Sequence, residues 1–161
     1  MIDYRKATET DLEQIWDMNI RNNPHDSRWL RWKEQYIGYN KSGAAVTFVI
    51  VDDELPIGEV TLILSPECKA VKGRPMLADG EHIANVNALR IKKAYEGLGH
   101  VSSLMRVLEN YAKEIGITRL TIGVEARESR NLAIYLHWGY TEMVHFEMDE
   151  GELILYYAKS I

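Results

Sequence analysis

Between Val101 and Ile115, seven apolar residues (Val101, Leu104, Met105, Leu108, Tyr111, Ala112 and Ile115) recur at the spacing of one helix face, and Gly116 follows them. Such a stripe has to be covered, so the helix it predicts lies against a core. Directly before it stands Glu96-Gly97-Leu98-Gly99-His100-Val101, and before that the β-rich run Glu81 to Ile91. Strand, glycine turn and helix in this order aim free backbone N–H groups and the positive helix end at one point, which favours an anionic phosphate. Glycine adds dihedral freedom and lets a ligand approach the backbone. Two glycines alone fit a plain flexible turn equally well, so the rest of the chain has to decide.

Upstream, Ile2 to Arg5 can form a short strand, and Thr8 to Asp11 places a cap before Leu12, Ile15, Trp16 and Ile20, which are apolar at helical spacing. The stretch Asn22 to Ser27 breaks that pattern. Ser27 is expected to cap a second helix carrying Trp29, Trp32, Tyr36 and Tyr39. Two β-rich runs then flank Asp52-Asp53-Glu54 as an antiparallel hairpin. Ser65 to Gly80 is a long connection rich in Pro, Gly and Lys, of a kind that is often functional or mobile. Leu120 to Val124 reads as a short buried strand, and Ser129 to Trp138 as a helix ended by Gly139. Tyr140 to Met148 and Leu153 to Ala158 pair about Asp149-Glu150-Gly151. The order β-αα-βββ-α-β-α-ββ predicts an α/β fold with a mixed, α+β-type sheet, antiparallel in its first half, and excludes a clean doubly wound sheet. There is no repeat, low-complexity tract or linker, so residues 1–161 are expected to form a single domain.

The bulk numbers restrict function by exclusion. A net charge of −5 argues against a general nucleic-acid binder and suits an amine-bearing partner. One cysteine, Cys68, cannot form an intramolecular disulfide, and no Cys/His set has zinc spacing, which favours a cytoplasmic protein without a structural metal. No run is apolar for long enough to cross a bilayer, and the first residues lack the apolar core of a signal peptide, so no membrane partner is expected.

The chain from Ile2 onward resembles the GNAT superfamily of acyl-CoA-dependent N-acetyltransferases. Members carry a strand ending in L-x-V, then a turn of the form Q/R-x-x-G-x-G/A that opens a helix. Leu89-Arg90-Ile91 stands at that strand end. Glu96 to Val101 is read as the turn, with Glu96 where Gln or Arg is usual and Val101 where Gly or Ala is usual. Downstream, Asn131-Leu-Ala-Ile-Tyr135-Leu-His-Trp-Gly139-Tyr140 is similar to the family's Asn-bearing turn and its tyrosine four residues before Gly-Phe. The opening strand and helix, and the run Val51 to Leu62, are similar too.

The resemblance implies a GNAT fold with a central strand–turn–helix unit, acetyl-CoA as co-substrate, an amine-bearing acceptor and no metal. Superfamily members often dimerise, so it also admits a homodimer. Backbone groups of Leu89, Arg90 and Ile91 would align the thioester, and Glu96, Gly97, Leu98, Gly99, His100, Val101 and Ser102 would take the pyrophosphate. Tyr135 would be the acid that protonates the CoA sulfur, and Asn131 would bond CoA or merely cap its helix. Some members place a basic glutamate on the strand before the turn, but the position four before Leu89 is Asn85, which cannot act as a base. Glu59, Glu81, His82, Glu125 or a water chain stay open for that role, each side chain reading more simply as a surface or structural charge. Trp29, Trp32 and Tyr36 line an acceptor pocket or pack the core, packing being the simpler reading. His25, His137 and His145 lie far apart without ligand spacing, and Cys68 has no matched base. Two other functions fit less of the sequence: a non-catalytic acyl-CoA sensor on the same fold, and a nucleotide-binding protein of another fold.

Overall fold

The computed structural model describes residues 1–161. Its elements run β1 (Ile2–Lys6), α1 (Glu9–Asn22), α2 (Arg28–Ser42), β2 (Ala45–Asp52), β3 (Leu55–Ile63), β4 (Ile83–Ile91), a short 3-10 turn (Lys93–Tyr95), α3 (His100–Glu114), β5 (Arg119–Glu125), α4 (Ser129–His137), β6 (Glu142–Asp149) and β7 (Glu152–Ser160). This is the order read from the sequence. The strands form one mixed sheet in the order β1-β2-β3-β4-β5-β7-β6. By its internal contacts the chain divides into two compact units, Met1–Leu62 with Ala88–Tyr111 and Ile63–Asn87 with Ala112–Ile161.

In the first unit β1 pairs antiparallel with β2, from Ile2 opposite Asp52 to Lys6 opposite Phe48. Strands β2 and β3 are buried along almost their whole length, on both faces. A polar side chain there must find a partner inside the protein. Thr47 and Thr61 share a hydroxyl hydrogen bond of 2.8 Å, and the Asn40 amide accepts from the Thr47 N–H and donates to its Oγ1, each at 2.9 Å. The hairpin between these strands turns on Asp53 and Glu54, with φ of 46° and 72°. Two successive positive-φ residues make the mirror-image turn that matches strand twist, normally built with Asn or Gly.

Helix α1 starts as read, on a capping box. Asp11 N–H donates to Thr8 Oγ1 and Thr8 N–H donates to Asp11 Oδ2. Arg5 also pairs with the Asp11 carboxylate, which is buried. Helix α2 starts differently from the expectation. Ser27 has helical backbone angles and makes no side-chain cap; the Asp26 carboxylate takes the Arg28 N–H instead, at 3.1 Å. Leu12, Ile15, Trp16, Tyr36 and Ile37 form the buried cluster between α1 and α2, with Trp29 and Trp32 packed against it.

In the second unit β4 pairs parallel with β5 from Ile83 opposite Arg119 to Val86 opposite Ile122. Strand β7 pairs antiparallel with β5 and with β6. The Asp79 carboxylate accepts the N–H groups of Glu81, His82 and Ile83, all at 2.8 Å, so β4 begins two residues later than read. The long connection is tied down rather than loose. Cys68, Val71, Leu77 and Ala78 are buried, and Arg74 donates to Glu147 Oε1 at 3.0 Å and to Tyr156 Oη at 2.7 Å. Ile115, placed on the buried stripe of α3 by its spacing, is exposed in the last turns before Gly116.

Burial pushes the Asp11 carboxyl up, but the Arg5 guanidinium and the Thr8 groups outweigh it and hold it below its ordinary value. A lowered carboxyl stabilises the fold above its unfolded value, near pH 4, and that stabilisation is lost as pH falls through the lowered value. Asp11→Asn is therefore expected to cost about 1–2 kcal/mol at pH 7, with the gap to wild type closing in acid, measured by denaturant unfolding across pH. Glu54→Gly, relieving a positive-φ side chain on an exposed turn, is expected to raise stability by about 1 kcal/mol in the same assay.

Candidate active site

In the first unit, Leu89-Arg90-Ile91 closes β4 just after Ala88, whose φ of 54° bends the strand away from regular pairing. Lys92 N–H donates to Ile57 O at 2.8 Å, which anchors the strand end to β3. The chain then makes its 3-10 turn, and Tyr95 donates its hydroxyl to Asp52 Oδ2 at 2.7 Å. Gly97 and Gly99 both adopt positive φ, 76° and 83°. A side chain built on either meets nothing within 4 Å, so the glycines supply conformation and leave open space above the backbone.

Ser103 N–H donates to Gly99 O at 3.1 Å, so the helical ladder starts there. The N–H groups of His100, Val101 and Ser102 are then the first-turn donors that no helical carbonyl takes. His100 is held at its Nδ1 by the Tyr4 hydroxyl, at 2.7 Å. Neither Tyr4 nor Tyr95 was singled out from the sequence. Each makes its bond across a long stretch of chain, Tyr4 to His100 and Tyr95 to Asp52, and nothing in the local pattern points to either.

The candidate bases separate clearly. Glu81 and His82 are exposed, and Glu125 accepts from Arg127 Nε at 2.9 Å. Glu59 is not a surface charge: it is fully buried in the middle of β3. Its Oε2 accepts from Asn19 Nδ2 at 2.7 Å and from Arg90 Nε at 3.2 Å. The Arg90 guanidinium carbon lies 5.1 Å from the Trp16 ring centre and 4.9 Å from that of Trp29. A charge inside a mostly apolar strand is the sequence signal for this group.

In the second unit, Tyr135 is half-buried on α4, its ring 5.9 Å from Trp138. Burial pushes its phenol up, and the Glu128 charge adds to that. Asn131 is exposed and donates to Glu128 Oε2 at 2.7 Å. Asn85 is buried and donates to Thr121 Oγ1 at 3.0 Å, which accounts for it as a structural residue. No group of three or more His, Cys, Asp or Glu is arranged to hold a metal ion, and no helix is long and apolar enough to cross a membrane.

The sequence profile of the Acetyltransferase (GNAT) family matches residues 10–140. The chain belongs to the GNAT acetyltransferase family. Solved structures of the same fold include a ribosomal-protein-alanine N-acetyltransferase from Brucella melitensis, with TM-score 0.72, 16% identity and 99% of each chain covered. An N-acetyltransferase from Staphylococcus aureus Mu50 aligns with TM-score 0.71 at 14% identity, over 99% of this chain and 98% of the other. A PaiA N-acetyltransferase from Thermoplasma acidophilum, in complex with coenzyme A, aligns with TM-score 0.64 at 18% identity, over 100% and 99%. At these identities the likeness shows the fold. No curated protein sequence matches the chain.

Within this GNAT chain the two positive-φ residues of the turn are Gly97 and Gly99, and Glu96 before them is exposed. Val101 is the second residue of α3, partly buried as part of its apolar stripe.

The raised Tyr135 phenol yields a direct check. In a difference titration of wild type against Tyr135→Phe, this tyrosine is expected to ionise above the ordinary value of about 10.

Proposed function

We propose that the chain is an N-acetyltransferase that moves the acetyl group of acetyl-CoA to a primary amine of a small molecule or protein, and that residues 1–161 act as one catalytic domain. The observation that carries this reading is the turn itself: in a GNAT chain, two positive-φ glycines with open space above them lead directly into the N-terminus of a 15-residue helix. That is a cradle a Cβ would fill, and its donors are first-turn N–H groups suited to phosphate oxygens. Acetyl-CoA, when bound, supplies the activated acyl group.

The chain's own residues divide the remaining work. His100, Val101 and Ser102 offer backbone N–H groups to the pyrophosphate, with Glu96, Gly97, Leu98 and Gly99 shaping the turn. The strand end Leu89-Arg90-Ile91 offers backbone groups to the arm and the acyl carbonyl, where a preorganised donor stabilises developing negative charge. Tyr135 holds a proton at Oη across the neutral range and gives it to the departing sulfur; burial, by raising its phenol, keeps that proton in place. Asn131, bonded to Glu128, serves the α4 N-terminus and not the co-substrate in this reading. A single cysteine that cannot pair within the chain suits a reducing compartment, and we place the activity in the cytoplasm.

Thiol release from acetyl-CoA in the presence of an amine panel tests the reading; coenzyme A binding without release across that panel would favour a sensor. Tyr135→Phe is expected to lower kcat about a hundredfold while coenzyme A affinity stays within about twofold. Gly99→Val, a branched side chain at positive φ facing open space, is expected to weaken coenzyme A binding at least about tenfold in calorimetry.

A further inference from the structure

Strand β6 comes last in the sheet order, and β7 is its one neighbour. One side of its backbone therefore carries N–H and C=O groups that no strand takes. Native sheets blunt such an edge with a short strand, lysine, proline or other charge. The strand at the other end of the order, β1, is built that way, with five residues of which three are charged (Asp3, Arg5 and Lys6). Strand β6 is not. It has eight residues, no lysine and no proline, and it leaves Met143, Phe146 and Met148 exposed, Phe146 at 64% and Met148 at 65%. Leu155 and Leu153 on β7 stand opposite Phe146 and Met148, so the same face stays apolar behind the edge. Single exposed apolar side chains need no explanation, but a contiguous set along an unpaired edge marks an interaction surface.

The order of residues along that edge selects its partner. Val144-His145-Phe146-Glu147-Met148 runs apolar, imidazole, aromatic, carboxylate, apolar, and so complements its own reverse. Two antiparallel copies related by a two-fold axis at Phe146 set Phe146 against Phe146, with His145 against Glu147 on each side of it. Val144 and Met148 then meet at the ends. Moving the axis by one residue to either side sets His145 on His145 or Glu147 on Glu147, which loses the complementarity. Any register in between brings opposite faces together. The polar face suits the central register. Glu147 takes His145 Nε2 and Arg74 Nη1 on one oxygen, Oε1, both at 3.0 Å, and Arg74 offsets the like charge of two carboxylates near one axis. At the margin Glu142 comes near Glu150 of the second copy, and Arg119 already pairs with Glu142 at 2.9 Å. Asp149, Glu150 and Glu152 at the β6–β7 turn repel an anionic bilayer, which makes a membrane the poorer occupant.

We infer that β6 is a homodimer interface: two copies of the chain join edge to edge through an antiparallel β6–β6 ladder centred on Phe146, and one sheet runs across both. Both copies use the same patch, so the contact closes at two and does not propagate. Phe146 is its apolar anchor, and the crossed His145 and Glu147 pairs fix its register. The interface is independent of the acetyltransferase reading.

The test is sedimentation velocity on the full chain over a dilution series reaching about 100 μM. Wild type is expected to sediment as a species of twice the 18.5 kDa chain. Phe146→Glu removes the anchor and sets two carboxylates face to face, and is expected to raise the dimer dissociation constant at least about tenfold. His145→Glu and Glu147→Lys each set like charges across the axis and are expected to weaken the dimer about tenfold when alone. Mixed in equal amounts, those two chains regain complementary pairs in a heterodimer, with affinity expected within about threefold of wild type. Cooperative thermal unfolding shows that each variant is folded. If Phe146→Glu is not, the mixed pair decides; if Glu147→Lys is not, Phe146→Glu decides. A wild type that stays monomeric to the top of the series overturns the inference, and one that instead cosediments with phosphatidylcholine vesicles gives the face to a membrane. A dimer that survives in folded Phe146→Glu uses another surface and overturns it as well. So does a mixture of the two folded charge variants that associates no more tightly than either alone.

Discussion

Two neighbouring strands with no solvent-facing side, β2 and β3, set the conditions for the first unit. Such strands need cover on both faces, and each polar atom on them needs an internal partner. Thr47 and Thr61 meet the demand by pairing with each other and with Asn40. Glu59 meets it only in part, through Asn19 on α1 and Arg90 on β4. That incomplete match ties the first helix to the strand end that the resemblance gives to the acyl group. The Arg90 guanidinium also lies beside the Trp16 and Trp29 rings.

The turn after β4 shows how conformation and chemistry are joined. Gly97 and Gly99 are required by their dihedrals and not by crowding, since a Cβ on either would meet open space. A position that needs glycine for shape and has room for a side chain is one where backbone faces outward, available to a ligand. His100 is then oriented from outside the turn by Tyr4, and the preceding 3-10 segment by the Tyr95 bond to Asp52. The turn is thus braced by residues far from it in the chain, Tyr4 lying 96 residues before His100 and Asp52 43 before Tyr95.

Much of the fold was legible because local signals and tertiary burial agreed. The TETD cap, the α3 stripe, the stop at Gly116 and the turns at Asp53-Glu54 and Glu150-Gly151 all appear where the pattern puts them. Local signals misled where a neighbour took over the role. Ser27 gives way to Asp26 because a carboxylate is the stronger acceptor for the first free N–H. The long connection looked loose by composition, but Cys68, Val71 and Leu77 bury it and Arg74 pins it. Spacing alone counted Ile115 into the core, although the stripe runs past the end of the covering surface.

By itself the sequence determined the order and kind of the elements and the strand–turn–helix unit, since these depend on periodicity, caps and glycine within short windows; the family came from the resemblance of its motifs. Tertiary structure alone decided that Tyr4 holds His100 and that Glu59 is a buried charge with an unmatched oxygen. Dihedrals and pair contacts between residues dozens of positions apart leave no mark on local pattern. A charge in a mostly apolar run hints that Glu59 is buried, but only the tertiary structure supplies its partners, Asn19 and an Arg90 that lies beside two tryptophans.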